Sequence, residues 1–108
     1  MRQVAVYRNG QLAGILTEES RRAYVFTYDE SYYHDPNLAA ISLTLPKNQR
    51  SYHSTFLFPF FYNLLSEGVN RKLQSAQWRI DEQDDFGLLM ATAQYDTIGP
   101  ITIKPIEQ

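Results

Sequence analysis

"QVAVYRNGQLAGIL", residues 3–16, is the stretch that decides the fold. Val4 and Val6 alternate with Ala5 and Tyr7, and Leu12, Gly14 and Leu16 resume the alternation after a polar break. Period-two patterning on both sides of an Asn9-Gly10 pair is the signature of an antiparallel hairpin, because Asn and Gly tolerate the positive φ of a tight two-residue turn. Beyond it, "AYVFTY" at residues 23–28 sets Tyr24, Phe26 and Tyr28 on one face and Ala23, Val25 and Thr27 on the other. That pattern predicts a third strand with an aromatic face, joined to the hairpin by a turn over residues 18–22. Residues 32–36 read as irregular. In "AISLTLP", Ile41, Leu43 and Leu45 share a phase before Pro46, which predicts a fourth strand, and "KNQRSYHST" then reads as a polar loop.

The second half changes period. Phe60, Phe61, Leu64 and Leu65 form a stripe at helical spacing, and Pro59 fits the first helical position, where its missing N–H costs nothing. Gly68 suits a left-handed helix end, after which Val69, Leu73, Ala76 and Ile80 define a second stripe. A third helix is expected within "DEQDDFGLLM", capped by Asp81 or Asp84, with Phe86, Leu89, Met90 and Ala93 buried. "GPITIKP" closes the chain as a strand bounded by prolines. The expected architecture is α+β: a small, mainly antiparallel sheet, built from the N-terminal hairpin, further strands and a C-terminal strand, packed with about three helices.

The chain has 108 residues, 44% of them hydrophobic, enough for one core and one domain over residues 1–108. A net charge of -2 argues against a backbone-binding basic field, and the absence of cysteine excludes disulfides, cysteine zinc sites and thiol nucleophiles. No apolar leader or membrane-length run occurs, so a cytoplasmic protein without membrane contact is expected.

Few residues invite chemistry. His34 and His53 lack companion ligands at helical spacing, and metal sites need three or four convergent donors. The acidic run Asp81, Glu82, Asp84 and Asp85 lacks the glycine and distal glutamate of a calcium loop and suits helix capping. No glycine-rich phosphate loop or nucleophile elbow is present. The expectation is a protein without cofactor, metal or catalytic residues. The aromatic strand face admits two readings, a core face or a base-stacking platform of a small nucleic-acid-binding domain, with the core reading favoured because no Lys or Arg interleaves with it.

The order of "YRNGQLAGIL", "FTY", "ISLTLP", "FFYNLLSEG", "DDFGLL" and "DTIGPITIKP" resembles the N-terminal subdomain of HipA-type serine/threonine kinases over almost the whole chain. Gly10 and Gly14 match that family's glycine spacing, Ser42 to Pro46 its S-L-S-L-P element, and Phe60, Phe61, Asn63, Leu64, Leu65, Glu67 and Gly68 its F-F-x-N-L-L-P-E-G motif. Ser66 stands where the family has Pro, Pro100 where it has Ala, and Tyr95-Asp96 where it has Gly-Asp. Free-standing versions are similar to HipS, the small component of HipBST toxin-antitoxin systems. The resemblance therefore implies an antitoxin or regulatory subunit that binds and neutralises a HipT/HipA-like kinase. Alternatively it implies a non-inhibitory accessory subunit of a complex with a HipB-like helix-turn-helix DNA-binding protein. Neither role involves catalysis by this chain or direct nucleic-acid contact. The expected partner-binding residues are Glu67, Gly68, Val69 and Arg71, where a helix break presents an apolar side chain between charges. Val69 also fits as the first core residue of the second helical stripe, and both readings stand.

Overall fold

Asn9 and Gly10 adopt φ values of 53° and 79°, and the turn they make joins β1 (Arg2–Arg8) to β2 (Gln11–Ser20). This computed structural model describes residues 1–65, 76–77, 79–81, 83–92 and 100–106. The chain continues through β3 (Ala23–Tyr28), α1 (Glu30–His34), β4 (Ser51–Ser54), α2 (Pro59–Tyr62), α3 (Asp85–Thr92) and β5 (Ile101–Ile106). The strands form one five-stranded sheet in the order β4-β3-β2-β1-β5, with every neighbouring pair antiparallel. The expected α+β architecture is therefore what the chain adopts.

Register places the core. Leu16 stands opposite both Val4 and Phe26, while Gly14 stands opposite Val6 and Tyr28, so the small and branched residues of the hairpin lie beside the rings of β3. Tyr24, Phe26 and Tyr28 are all buried, together with Phe61 of α2 and Phe86 and Leu89 of α3. The aromatic strand face is the core face, which removes it as a base-stacking platform. Phe26 meets Tyr28 edge-on at 4.9 Å and Phe61 at 5.7 Å between ring centroids, separations at which aromatic pairs attract.

The helix starts follow local chemistry. Pro59 sits in the first turn of α2 behind Phe58, as expected, and Phe61 and Leu65 are buried with Phe60 and Leu64 partly packed. Asp84 precedes α3 and its Oδ1 accepts from Gly87 N at 3.1 Å, the N-cap bond that satisfies an otherwise unpaired helix-end donor. Phe86 and Leu89 are buried as expected, Leu88 joins them, and Met90 is half-buried; Ala93 lies outside the described residues.

Several expectations are corrected. Residues 40–46 do not form a strand: Ile41 and Leu45 are buried, whereas Leu43 is 99% exposed. The shared phase came instead from a tight turn, in which Leu45 N donates to Ser42 O at 3.1 Å and Thr44 N to Ser42 Oγ at 3.2 Å, local bonds that compete with a ladder. The fourth strand is Ser51–Ser54, within the stretch read as a polar loop, and pairing with β3 organises it despite its polar sequence. Residues 32–34 belong to α1, whose N-cap Asp29 accepts from Tyr32 N, and the β2–β3 turn is confined to residues 21–22. Of the second stripe, Val69 and Leu73 lie outside the described residues, Ala76 is exposed, and Arg79 takes a φ of 56°, incompatible with a continuing helix, so Ile80 packs on the core from beyond that point. Finally, Pro105 lies inside β5 rather than bounding it, which is tolerated because β5 is an edge strand.

Candidate functional site

Glu67, Gly68, Val69 and Arg71, the residues expected to meet a partner, lie outside the described residues. What the structure shows is the surface reached by the chain just before them. A groove of about 440 Å³ opens between the start of β3, the loop after β4, α2 and the first turn of α3. Tyr24, Leu57 and Pro59 line it, and Phe56 and Tyr62 stand over it, 77% and 44% exposed. Arg21, Asn63, Gln83 and Asp85 also line it and add polar groups of both charge signs.

Each aromatic is exposed for a local reason. Phe56 N donates to Ser54 Oγ, which turns the chain so that Leu57 and Phe58 enter the core and Phe56 does not. Tyr62 lies off the stripe of Phe61 and Leu65 on the short α2. Exposed aromatics beside an arginine, around a concave floor of mixed polar and apolar groups, have the composition of a protein contact. Sequence reading missed this pair; a signal was available only for Tyr62, which falls out of phase with Phe61 and Leu65.

An ion-pair network fixes the α3 side of the groove. Arg2 Nη1 and Nη2 donate to the Asp84 carboxylate at 3.0 and 2.8 Å, while Nε and Nη2 donate to Glu18 Oε1 at 2.8 and 2.6 Å. The same guanidinium lies 5.2 Å from the centroid of the Phe86 ring, within cation–π range. Tyr24 donates its hydroxyl to Glu18 Oε2 at 3.2 Å, and burial, with the Glu18 carboxylate adding to it, pushes the phenol up to about 12. The hydrogen bonds from Arg2, and then that from Gly87 N, hold the Asp84 carboxyl below its usual range against the opposing effect of burial, and Arg2 itself is pushed up chiefly by Asp84.

This gives a pH prediction with a defined sign. A depressed carboxyl contributes stability above the ordinary aspartate value of about 3.9, and loses it as pH falls through the folded value. Arg2→Met is expected to lower stability at pH 7 by about 1 kcal/mol and to flatten the decline below pH ~4. The effect is modest because the Arg2 and Asp84 side chains remain 36% and 33% exposed. Urea unfolding of both proteins across pH 2.5–7 (about that span) measures it.

His34 ends α1 with its ring 5.1 Å from Tyr33, and His53 lies in β4, exposed. Among the described residues no group of three or more His, Asp or Glu side chains could hold a metal ion, and no helix is long and apolar enough to cross a membrane. Asp81, Asp84 and Asp85 are occupied as a turn acceptor to Gln83 N, as the α3 cap and as its first residue; Glu82 lies outside the described residues.

The HipA N-terminal domain family matches residues 4–104, and the chain belongs to that family. It is similar to a solved structure described as the N-terminal domain of HipA toxin, with a TM-score of 0.72 and 30% identity, covering 100% of this chain and 95% of that one. An uncharacterized protein of Haemophilus influenzae is 32% identical over 108 residues, which span 96% of that protein. A protein of Sinorhizobium fredii described as the putative kinase Y4mE is 27% identical over 108 residues, and there the match spans only 26% of the relative's length. These matches relate the chain to components of a kinase toxin system.

Proposed function

We propose that the chain is a HipS-like antitoxin or regulatory subunit, acting in the cytoplasm by binding and neutralising a HipT/HipA-type serine/threonine kinase, with no catalysis of its own. The observation that carries this reading is the pair of lengths among its relatives. The same domain is about a quarter of a protein described as a kinase and almost the whole of the Haemophilus protein. A domain that packs within a longer chain in one relative keeps a surface suited to the remainder of that chain when the two are separate. Exposed aromatics around a groove are such a surface, since burying two of them contributes several kcal/mol before the costs of association. The expected corner at Glu67, Gly68, Val69 and Arg71 follows in sequence directly from α2 and belongs to the same proposed contact.

The test is a binding titration with the HipA-family kinase of the same genome, with relief of kinase-induced growth arrest as the cellular readout. A stable complex and relief are expected, and the purified chain alone should show no phosphotransfer. Val69→Asp is expected to weaken binding by about 1–3 kcal/mol without loss of the fold, because an unpaired carboxylate is costly in a desolvated pocket. Glu67→Ala should speed dissociation with stability unchanged. Absence of both binding and rescue sinks the reading. A large fall in unfolding midpoint for Val69→Asp, with affinity retained, would assign that side chain to the core.

A further inference from the structure

Leu43 is the most exposed large apolar side chain among the described residues, at 99%, and it sits at the tip of a turn held unusually firmly. The buried Tyr28 hydroxyl accepts from Ile41 N at 3.1 Å and donates to Leu45 O, bonding both ends of the turn. Ile41 and Leu45 anchor the turn in the core, while Ser42 Oγ bonds Thr44 N and Thr44 Oγ1 across the tip. The base of the loop is secured as well: Lys47 Nζ donates to Asp35 O and Leu38 O at 2.7 and 2.8 Å, and Tyr32 donates to Ala39 O at 2.6 Å. A surface leucine on a mobile loop needs no explanation. One fixed in place at both ends of its turn by a buried tyrosine can be inserted into a partner with little further loss of conformational freedom.

The surroundings define what it fits. Residues 36–46 carry no charged side chain, so an apolar partner surface matches the tip of this loop better than a charged one, which would be desolvated there with no ionic counterpart on the turn itself. We infer that Leu43 is a preorganised knob that enters an apolar, uncharged pocket on the kinase, forming a second contact apart from the Phe56–Tyr62 groove. This inference rests on the kinase-docking reading and deepens it by naming a side chain and the chemistry of its receiving site.

The experiment compares the full chain with Leu43→Asp and Leu43→Met by calorimetric titration against the same HipA-family kinase, with thermal unfolding and sedimentation of each chain alone. Because the side chain touches solvent, all three should unfold within about 2 °C of one another. Leu43→Asp is expected to bind at least ~30-fold more weakly, and Leu43→Met within about threefold of wild type, because the thioether refills an apolar pocket. Equal binding by Leu43→Asp would overturn the knob while leaving kinase docking intact. No binding by the wild-type chain would overturn the docking reading and the knob together. A dimer of the chain alone that Leu43→Asp dissociates, with kinase affinity unchanged, would overturn the kinase pocket in favour of a second copy as the occupant.

Discussion

Phe26→Ala is expected to destabilise the domain by about 3–5 kcal/mol, the loss usual for a fully buried phenylalanine in a core that cannot collapse around the void. The ring has no solvent exposure and lies between Leu16 of β2 and Tyr52 of β4 in register, beneath Phe61 of α2. Removing it takes away edge-on contact with Tyr28 and the tilted contact with Phe61 together, so the sheet loses its attachment to α2 at one point. At about 4–5 °C per kcal/mol for a chain of this size, Tm should fall by about 12–25 °C. Phe26→Leu, which refills most of the volume, should recover more than half of the loss. Denaturant unfolding with an unchanged m-value checks that the native state, not its compactness, is affected. A loss below about 1 kcal/mol would mean that the ring is not the centre of the core.

Much of this architecture was legible because side-chain periodicity and turn chemistry agreed. Asn9-Gly10 supplied the two positive φ angles, Tyr24, Phe26 and Tyr28 alternated onto the core face, and Pro59 and Asp84 marked helix starts. What failed to show depended on partners distant in sequence. Ile41, Leu43 and Leu45 alternate like a strand, but the Tyr28 hydroxyl, bonded to Ile41 N and Leu45 O, joins the local Ser42 bonds in holding them as a turn, and no local pattern announces that tyrosine. Ser51–Ser54 forms a strand because β3 offers it an open edge, a property of the sheet rather than of the sequence Ser-Tyr-His-Ser. α1 did carry a signal, Asp29 before Glu30, yet its five residues span too little of a helical period for a stripe to appear.

The candidate surface was less legible than the fold, for a physical reason. Docking residues are recognised by being apolar and uncovered, and exposure is decided by the tertiary arrangement of their neighbours. Phe56, Leu57 and Phe58 are alike in a sequence, and only the turn held by Ser54 Oγ separates the first from the other two. The Glu67, Gly68, Val69 and Arg71 corner rests on the helix break and the family motif in the sequence. The groove beside α2 adds an independent surface with two exposed aromatics in the chain leading to it.

Gly14→Ala is expected to cost about 3 kcal/mol, at the upper end for overpacking, although it adds one methyl group to a strand that would ordinarily prefer alanine. The reason is space rather than backbone conformation. A Cβ at this position would lie 2.4 Å from Thr27 O and 2.7 and 2.9 Å from Cζ and Cε1 of the Phe26 ring. The first is a backbone carbonyl of the neighbouring strand, which moves only if β2 and β3 separate locally; the second is the ring that contacts Phe61 and Tyr28. The absent side chain is therefore what lets Phe26 lie across the hairpin at full burial. Combining Gly14→Ala with Phe26→Leu removes the ring carbons that the methyl meets. The double variant should be less destabilised than the sum of the two single ones, by about 1 kcal/mol or more, as for residues in direct contact. Additive losses in a double-mutant cycle would show that the carbonyl of Thr27 alone sets the cost. A neutral Gly14→Ala would show that β2 and β3 can part at this point without loss, contrary to the close packing described for this face of the sheet.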